Sequence, residues 1–349
     1  MSHRPAPLIV FGLMLFTAAT QSAPLKVVTS FLPLSAAALS IGGDRITLTQ
    51  LTGETSGPHG FTPSPADLQT LAQADLLIVN GCGLEDWLPN AMATLGSTHL
   101  VVVDTSEAFK PLFPSRTDAS KNGLMGSSSF PVGWEKTVWM APGHPTAEDL
   151  RRLAEWRRDH PAPDADEPLR QEATKRMTAF GNDPHLWLDP RFARLQAEAI
   201  RDALCRADPA GAETYRRNAA LYSIELDELD DVFQFFFEKA PKAELVTFHD
   251  AFPYFCSRYG IHDLGALEEL PGKEPSPEPI SRLSGLIAAA HVKVLFAEKG
   301  YDSQLLQTLA AQTGAQVAGL DPVEVGPADP NAYLERMCSN LAVLEKAWQ

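Results

Sequence analysis

Short apolar runs rich in β-branched residues alternate with longer amphipathic stretches in the first third of the chain. The runs predict strands at residues 25–29, 46–51, 76–80 and 100–104, and the stretches between them predict helices at 34–41, 65–74 and 87–95. Ser64 followed by Pro65 is typical of a helix start. Strands that alternate with helices form βαβ units around a parallel sheet, so this part predicts an α/β lobe.

The same alternation returns in the last third of the chain. It predicts strands at 244–248, 292–297 and 316–320, with helices at 251–259, 279–290, 303–313 and 331–348. Between the two series, residues 213–239 carry apolar positions at three- and four-residue spacings, which predicts a long amphipathic helix. A chain of 349 residues is longer than the roughly 250–300 residues that one core serves. We therefore predict an α/β protein of two βα lobes with parallel-type sheets, 24–209 and 241–349, joined by a helix at 210–240.

Two segments stand outside this pattern. Residues 107–181 lose the alternation and become rich in Ser, Pro, Gly and charge, which indicates an insertion in the first lobe. Residues 1–23 combine Arg4 with an apolar stretch and small residues, the layout of a signal peptide. The stretch is too short for a stable membrane anchor, and no cysteine near the cut indicates a lipid anchor. We expect a soluble protein in a bacterial periplasm.

Charge and cysteine content narrow the function classes. The net charge of −15 argues against nucleic acid as a partner, since phosphates would be repelled, and fits either a protein that gathers cations or one that is merely kept soluble. In an oxidising compartment, four cysteines permit three fully paired connectivities, and their spacing does not choose among them. They lack the CxxC spacing of metal sites; their positions are Cys82, Cys205, Cys256 and Cys338.

Three histidines lie in similar local settings near predicted strand ends: His59 in PHGFTP, His185 in NDPHLWLDP and His249 in TFHDAF. Asp321 in GLDP directly follows another predicted strand. Ligands of open α/β sheets sit at the carboxyl ends of strands, so the four side chains, two from each lobe, predict one site between the lobes. Three imidazoles and a carboxylate form a tetrahedral set suited to Zn²⁺. Asp183 and Asp189 are both placed to orient the imidazole of His185, and Asp189 is also placed to cap the helix that begins at Pro190.

Several ordered motifs together resemble the zinc/manganese class of substrate-binding proteins of ABC importers. They are PHGFTPSPADLQTLAQADLLIVNGCGLEDWL, NDPHLWLDP, TFHDAFPYFCSRYGI, the EPSP of GKEPSP, and FAEKGYDSQLLQTLAAQTGAQVAGLDP. The resemblance implies two βα lobes joined by a rigid helix and one buried divalent metal. By motif, it implies the ligands His59, His185, His249 and Asp321. Zn²⁺ is expected over Mn²⁺, because manganese members more often carry a carboxylate at the place of His249.

The resemblance also implies partners. A monomeric carrier would hand its metal to a membrane permease that is driven by a separate ATPase. This chain has no GxxxxGK[ST] loop of its own. The predicted insertion holds His144 and His160 but no histidine-rich run, so a secondary metal-capturing role for it is not expected.

Other functions stay open at this point. They are a manganese carrier of the same family, a periplasmic metallochaperone or adhesin with the same site, and a zinc hydrolase. In a hydrolase, Glu298 would be the general base beside a metal with an open position. Four protein ligands and the absence of an HExxH pattern argue against an enzyme, and we expect Glu298 to cap a helix or to orient a ligand.

Overall fold

Two parallel sheets with the same strand order organise the chain. A computed structural model describes residues 23–54, 56–96, 99–110, 166–238, 243–268, 277–299, 301 and 304–348. The first sheet has the order β2-β1-β3-β4, and all of its strand pairs are parallel. All four residues of β3, Leu-Leu-Ile-Val, are buried because helices cover both faces of the sheet. The elements of this lobe are β1 (Leu25–Thr29), α1 (Leu32–Gly42), β2 (Ile46–Gln50), α2 (Pro65–Gln73), β3 (Leu76–Val79), α3 (Leu88–Leu95) and β4 (Val101–Asp104).

The second sheet repeats this arrangement with the order β6-β5-β7-β8, again all parallel. The prediction of two βα lobes with parallel sheets is thereby confirmed. The edge strand β6 was not predicted, because its sequence HDLGALE begins with polar residues and is interrupted by Gly265. The elements are β5 (Glu244–His249), β6 (His262–Glu268), β7 (Val294–Glu298) and β8 (Gln316–Leu320), with helices at Pro253–Tyr259, Pro277–Ala290, Gln304–Thr313 and Ala332–Ala347.

Within the described residues, three helices connect the lobes: α4 (Asp166–Ala179), α5 (Pro190–Ala207) and α6 (Ala212–Phe237). The helices of the second lobe are accordingly α7 to α10. With 26 residues, α6 is about 39 Å long and confirms the predicted long helix. It packs against α1 and α5 and also against α7 and α10 of the second lobe. The carboxylate of Asp230 on α6 pairs with both Arg258 Nε, at 2.9 Å, and Arg258 Nη2, at 2.5 Å, which fastens α6 to α7.

One hydrophobic core runs through both lobes, and each lobe also has a smaller hydrophobic cluster of its own. The shared core includes Val27 and Phe31 of the first lobe and Phe296 and Tyr333 of the second. Trp187 lies at its centre: the indole Nε1–H donates to the carbonyl of Pro322 at 2.7 Å, and the Trp187 carbonyl accepts from the Tyr333 hydroxyl at 2.6 Å. Because these groups are buried, separating the lobes would expose apolar surface and break both hydrogen bonds.

Part of the predicted insertion is a helix of the core. Helix α4 falls within 107–181, yet Leu169 and Ala173 on one of its faces are buried. His144 and His160 lie outside the described residues, as do residues 1–22 of the predicted signal peptide. The lobe boundaries given above stay predictions.

The structure forms no disulfide among the four cysteines. Cys82, Cys205, Cys256 and Cys338 are all outside disulfide bonds, so none of the three connectivities is formed. In the part of the chain that the structure describes, no helix has both the length and the apolar composition that crossing a bilayer requires.

Candidate metal centre

His59 lies in a tight turn after β2. The N–H of Phe61 donates to the carbonyl of Pro58 at 3.3 Å, and Gly60 takes the positive φ of +69° that such a turn requires. Helix α2 begins directly afterwards with a capping box, in which the Ser64 side chain accepts from the N–H of Asp67. The turn is therefore held at both ends and directs the imidazole of His59 into the space between the two lobes, which we call the cleft. The His59 side chain is 8% exposed there.

His185 lies between α4 and α5 and is buried. The Asp183 carboxylate accepts the backbone N–H of His185 at 2.9 Å and faces His185 Nδ1 at 3.0 Å. Because Nδ1 donates to Asp183, the lone pair of Nε2 faces the cleft. As expected from the sequence, Asp183 orients this imidazole. Asp189 has another role: it caps α5 through the N–H of Arg191 and pairs with Arg176.

His249 ends β5 and is fully buried. Its partner is Glu298 at the end of the neighbouring strand β7: one carboxylate oxygen faces His249 Nδ1, and the other accepts the His249 backbone N–H at 3.1 Å. Glu298 thus fixes the ring with Nε2 directed into the cleft, as Asp183 does for His185. Of the two roles considered for Glu298, the structure favours orienting a ligand. Its carboxylate is occupied by His249 and does not stand free as a general base.

The fourth member of the cluster is Glu324, in the loop after β8. Val323 before it takes a positive φ of +61°, which turns the chain so that the Glu324 side chain enters the cleft. The side chain is fully buried. Its Oε2 accepts the Tyr301 hydroxyl, whereas Oε1 receives no hydrogen bond from the described residues. A buried carboxylate oxygen without a donor is costly unless another group compensates it.

The four donor atoms form a compact set, in which all lie within 4.8 Å of one another. His185 Nε2 lies 3.1 Å from His59 Nε2 and 3.2 Å from His249 Nε2. Glu324 Oε1 lies 3.4 Å from His59 Nε2 and 3.5 Å from Nε2 of both His185 and His249. Donors at the roughly 2.0–2.1 Å of zinc–nitrogen and zinc–oxygen bonds lie about 3.3 Å apart at the corners of a tetrahedron. Five of the six separations in the cluster therefore fit four donors around one zinc ion, and a cation there would satisfy Oε1 of Glu324.

The sequence-based choice of Asp321 as the fourth member is corrected. The structure brings together His59, His185 and His249 as predicted, but with Glu324 and not with Asp321. The Asp321 carboxylate is already occupied: Oδ2 pairs with Arg336 Nη1 at 2.9 Å and Oδ1 accepts the Val323 N–H at 2.8 Å. Asp321 instead stabilises the turn that presents Glu324. Sequence reasoning also missed Tyr301. One signal was available for Glu324, which stands between two valines in the segment DPVEVG.

Burial and charge perturb the titration of the metal-free cluster. Burial lowers the pKa of His59 below its ordinary value. Burial also disfavours the charged form of His185 and His249, but attraction to nearby carboxylates outweighs it. Asp183 and Glu324 raise the pKa of His185, and Glu298 and Glu324 raise the pKa of His249 to about 10. For Glu324, burial favours the neutral acid, yet the three imidazoles hold its pKa well below the usual range. The metal-free cleft therefore holds protons that a divalent cation would replace.

Two parallel α/β lobes, a long helix between them and one donor set in the cleft define a two-lobed solute-binding protein of the metal-binding class. The model of the family described as "ZnuA: Zinc-uptake complex component A periplasmic" matches residues 27–347, and the chain belongs to this family. The resemblance seen in the motifs is thereby confirmed.

Individual relatives are distant but cover most of the chain. The chain is 26% identical over 300 residues to the high-affinity zinc uptake system protein ZnuA of Bacillus subtilis, covering 86% of this chain and 79% of that protein. It is also 26% identical over 322 residues to the manganese-binding lipoprotein MntA of Halalkalibacterium halodurans, covering 91% of this chain and 86% of that protein. The crystal structure of AdcAII of Streptococcus pneumoniae is similar with a TM-score of 0.67 and 27% identity, covering 93% of this chain and 99% of that chain.

Proposed function

We propose that this protein captures Zn²⁺ in the cleft between its lobes and delivers it to the membrane permease of an ABC importer, which a separate ATPase drives. Membership of the zinc-uptake family and the likeness to ZnuA of Bacillus subtilis support this function. Capture would take place outside the cytoplasmic membrane, in the periplasm, after export directed by residues 1–23. A monomer is sufficient for this role, since one chain contributes the whole donor set.

The observation that carries the proposal is the set of four donor atoms. We assign His59, His185 and His249 through Nε2, and Glu324 through Oε1, as the ligands of the transported ion. Five of the six separations between these atoms, at 3.1–3.5 Å, fit a tetrahedral shell. Three further features support the assignment: the carboxylates behind His185 and His249, the burial of the site, and the unpaired Oε1 of Glu324.

The donor chemistry favours zinc over manganese. Zn²⁺ accepts three imidazoles and a carboxylate in a tetrahedral shell, whereas Mn²⁺ prefers an octahedral shell rich in oxygen. The likeness to a manganese-binding relative makes manganese the competitor against which selectivity should be measured.

The same geometry supports a carrier rather than a hydrolase. Catalytic zinc usually keeps three protein ligands and an open position for water. Here four protein donors surround the site, and Glu298, the candidate base, is held by His249 Nδ1 and the His249 N–H. Release to a permease would require displacement of the loops that carry His59 and Glu324, because the core shared by the lobes resists their separation.

The test is the zinc affinity of purified protein, measured by competition with a chelator, for two matched variants. Glu324→Ala should weaken zinc binding by more than about 10-fold, because it removes a ligand and not only a group behind one. Asp321→Ala should change the affinity by no more than a few-fold, because the Asp321 carboxylate supports the turn before Glu324 through Arg336 and the Val323 N–H but supplies no donor atom to the cluster.

The reverse order, a large loss in Asp321→Ala and none in Glu324→Ala, would overturn the ligand assignment. Failure of the parent protein to bind zinc in preference to manganese would overturn the proposed cargo.

A further inference from the structure

The two oxygens of the Glu324 carboxylate have different surroundings. Oε1 faces the three imidazole nitrogens, at 3.4–3.5 Å, without a hydrogen-bond donor from the described residues. Oε2 points away from the cluster and accepts the hydroxyl of Tyr301. One oxygen is thus available to an ion, and the other is occupied by the protein.

Tyr301 is held in this position from two sides. Its ring stacks on Phe248 of β5, with centroids 6.1 Å apart and planes 18° apart, and it lies against the ring of His249 at 5.2 Å. On the opposite side, the backbone at Gly57 passes so close that a Cβ there would collide with the Tyr301 hydroxyl and lie 3.1 Å from Glu324 Oε2. A methyl group does not fit over this hydrogen bond.

We propose that Tyr301 is a positioning residue that makes Glu324 a ligand through one oxygen only, and that it thereby sets the selectivity of the site for a four-coordinate ion. The inference rests on the proposed function. Rotation of the carboxylate toward two-oxygen coordination would require breaking the hydrogen bond from Tyr301 and moving Oε2 out of the space beneath Gly57.

The consequence concerns the competing ion. A fifth donor atom lowers the preference for Zn²⁺, which is satisfied by four, and benefits Mn²⁺, which takes a larger shell with more oxygen. Tyr301 supplies no atom to the ion. By donating its hydroxyl to Oε2 of Glu324, it keeps this oxygen from acting as the additional donor that would favour Mn²⁺.

The test is Tyr301→Phe, which keeps the ring and removes only the hydroxyl. We expect the ratio of zinc to manganese affinity, measured by direct competition, to fall by about 10-fold or more, within the range for loss of a group that orients a ligand. We also expect the visible absorption of the Co²⁺-loaded protein to lose the high intensity of a four-coordinate centre, because Co²⁺ with five or six donors absorbs weakly. Gly57→Ala should shift both measurements in the same direction, since it displaces the same hydroxyl from the other side.

Tyr215→Phe is the matched control. Its hydroxyl donates to Asp208 at 2.9 Å, away from the cluster, so both measurements should equal those of the parent protein. An unchanged selectivity ratio and an unchanged Co²⁺ spectrum in folded Tyr301→Phe would overturn the role of Tyr301. Absence of zinc binding by the parent protein would instead refute the proposed function, so the two failures are distinguishable.

Discussion

Zinc binding should release protons, and the pH dependence of the affinity follows from the surroundings of His249. Glu298 and Glu324 raise the pKa of His249 to about 10, so the ring is an imidazolium at neutral pH in the metal-free protein. Zinc needs the lone pair of Nε2, whereas the proton on Nδ1 stays with Glu298. Binding must therefore expel one proton from His249 at any pH below about 10.

The size of the effect follows from the three imidazoles. At pH 8, below its pKa, His249 is mostly charged, so the zinc affinity should rise about 10-fold per pH unit between pH 7 and 9. His185, whose pKa is also raised, adds to the proton release at the lower end of this range. His59, whose pKa is lowered, is already neutral there and adds none.

Calorimetry with chelator-buffered zinc, in buffers of equal pH but different ionisation enthalpy, counts the released protons. Glu298→Gln is the informative variant, because removing this carboxylate should lower the pKa of His249 and reduce the proton release at pH 8. An affinity that is constant between pH 7 and 9, together with a heat that does not depend on the buffer, would refute this reasoning.

Three further predictions concern stability. Asp230→Ala leaves the Arg258 guanidinium without its carboxylate in a mostly buried place and should cost about 3–5 kcal/mol of unfolding free energy in a denaturant titration; a loss below about 1 kcal/mol would contradict it. Ser64→Ala removes the cap of α2 and should cost about 1 kcal/mol, whereas Ser64→Thr should retain most of the stability. Free zinc at about 100 times its dissociation constant should stabilise the protein by about 2.7 kcal/mol, read as a rise of the thermal midpoint that a chelator reverses; an unchanged midpoint would count against specific binding.

The sequence predicted most of the fold because its strands carry strong patterns. The run Leu-Leu-Ile-Val of β3 is apolar throughout, as a strand covered on both faces must be. Strand β6 was missed because an edge strand pairs on one side only and tolerates polar residues and Gly265. Helix α4 was missed because it buries only a narrow face, including Leu169 and Ala173, within a segment of otherwise polar composition.

At the cluster, the three histidines were predictable and the carboxylate was not. Asp321 follows β8 directly, so it was the natural candidate under the rule that ligands lie at strand ends. The chain instead turns at Val323, in a conformation that a β-branched residue seldom adopts, and carries Glu324 into the cleft. The contact that decides between the two carboxylates is distant in the sequence. Arg336, on the last helix, pairs with Asp321, so the Asp321 carboxylate is already occupied. No local pattern reports such a pairing.

The core that runs through both lobes, with Trp187 bonded across it to Pro322 and Tyr333, sets a condition on any receptor of this protein. A carrier whose lobes close widely has a different outline when it is filled. The shared core opposes such closure here, so we expect the empty and the filled molecule to have nearly the same outline. A receptor that recognised only the outline would be occupied by empty copies whenever zinc is scarce. The receptor must then distinguish filled from empty protein by small structural differences near the cleft. If those differences are too small, empty protein acts as a competitive inhibitor of uptake.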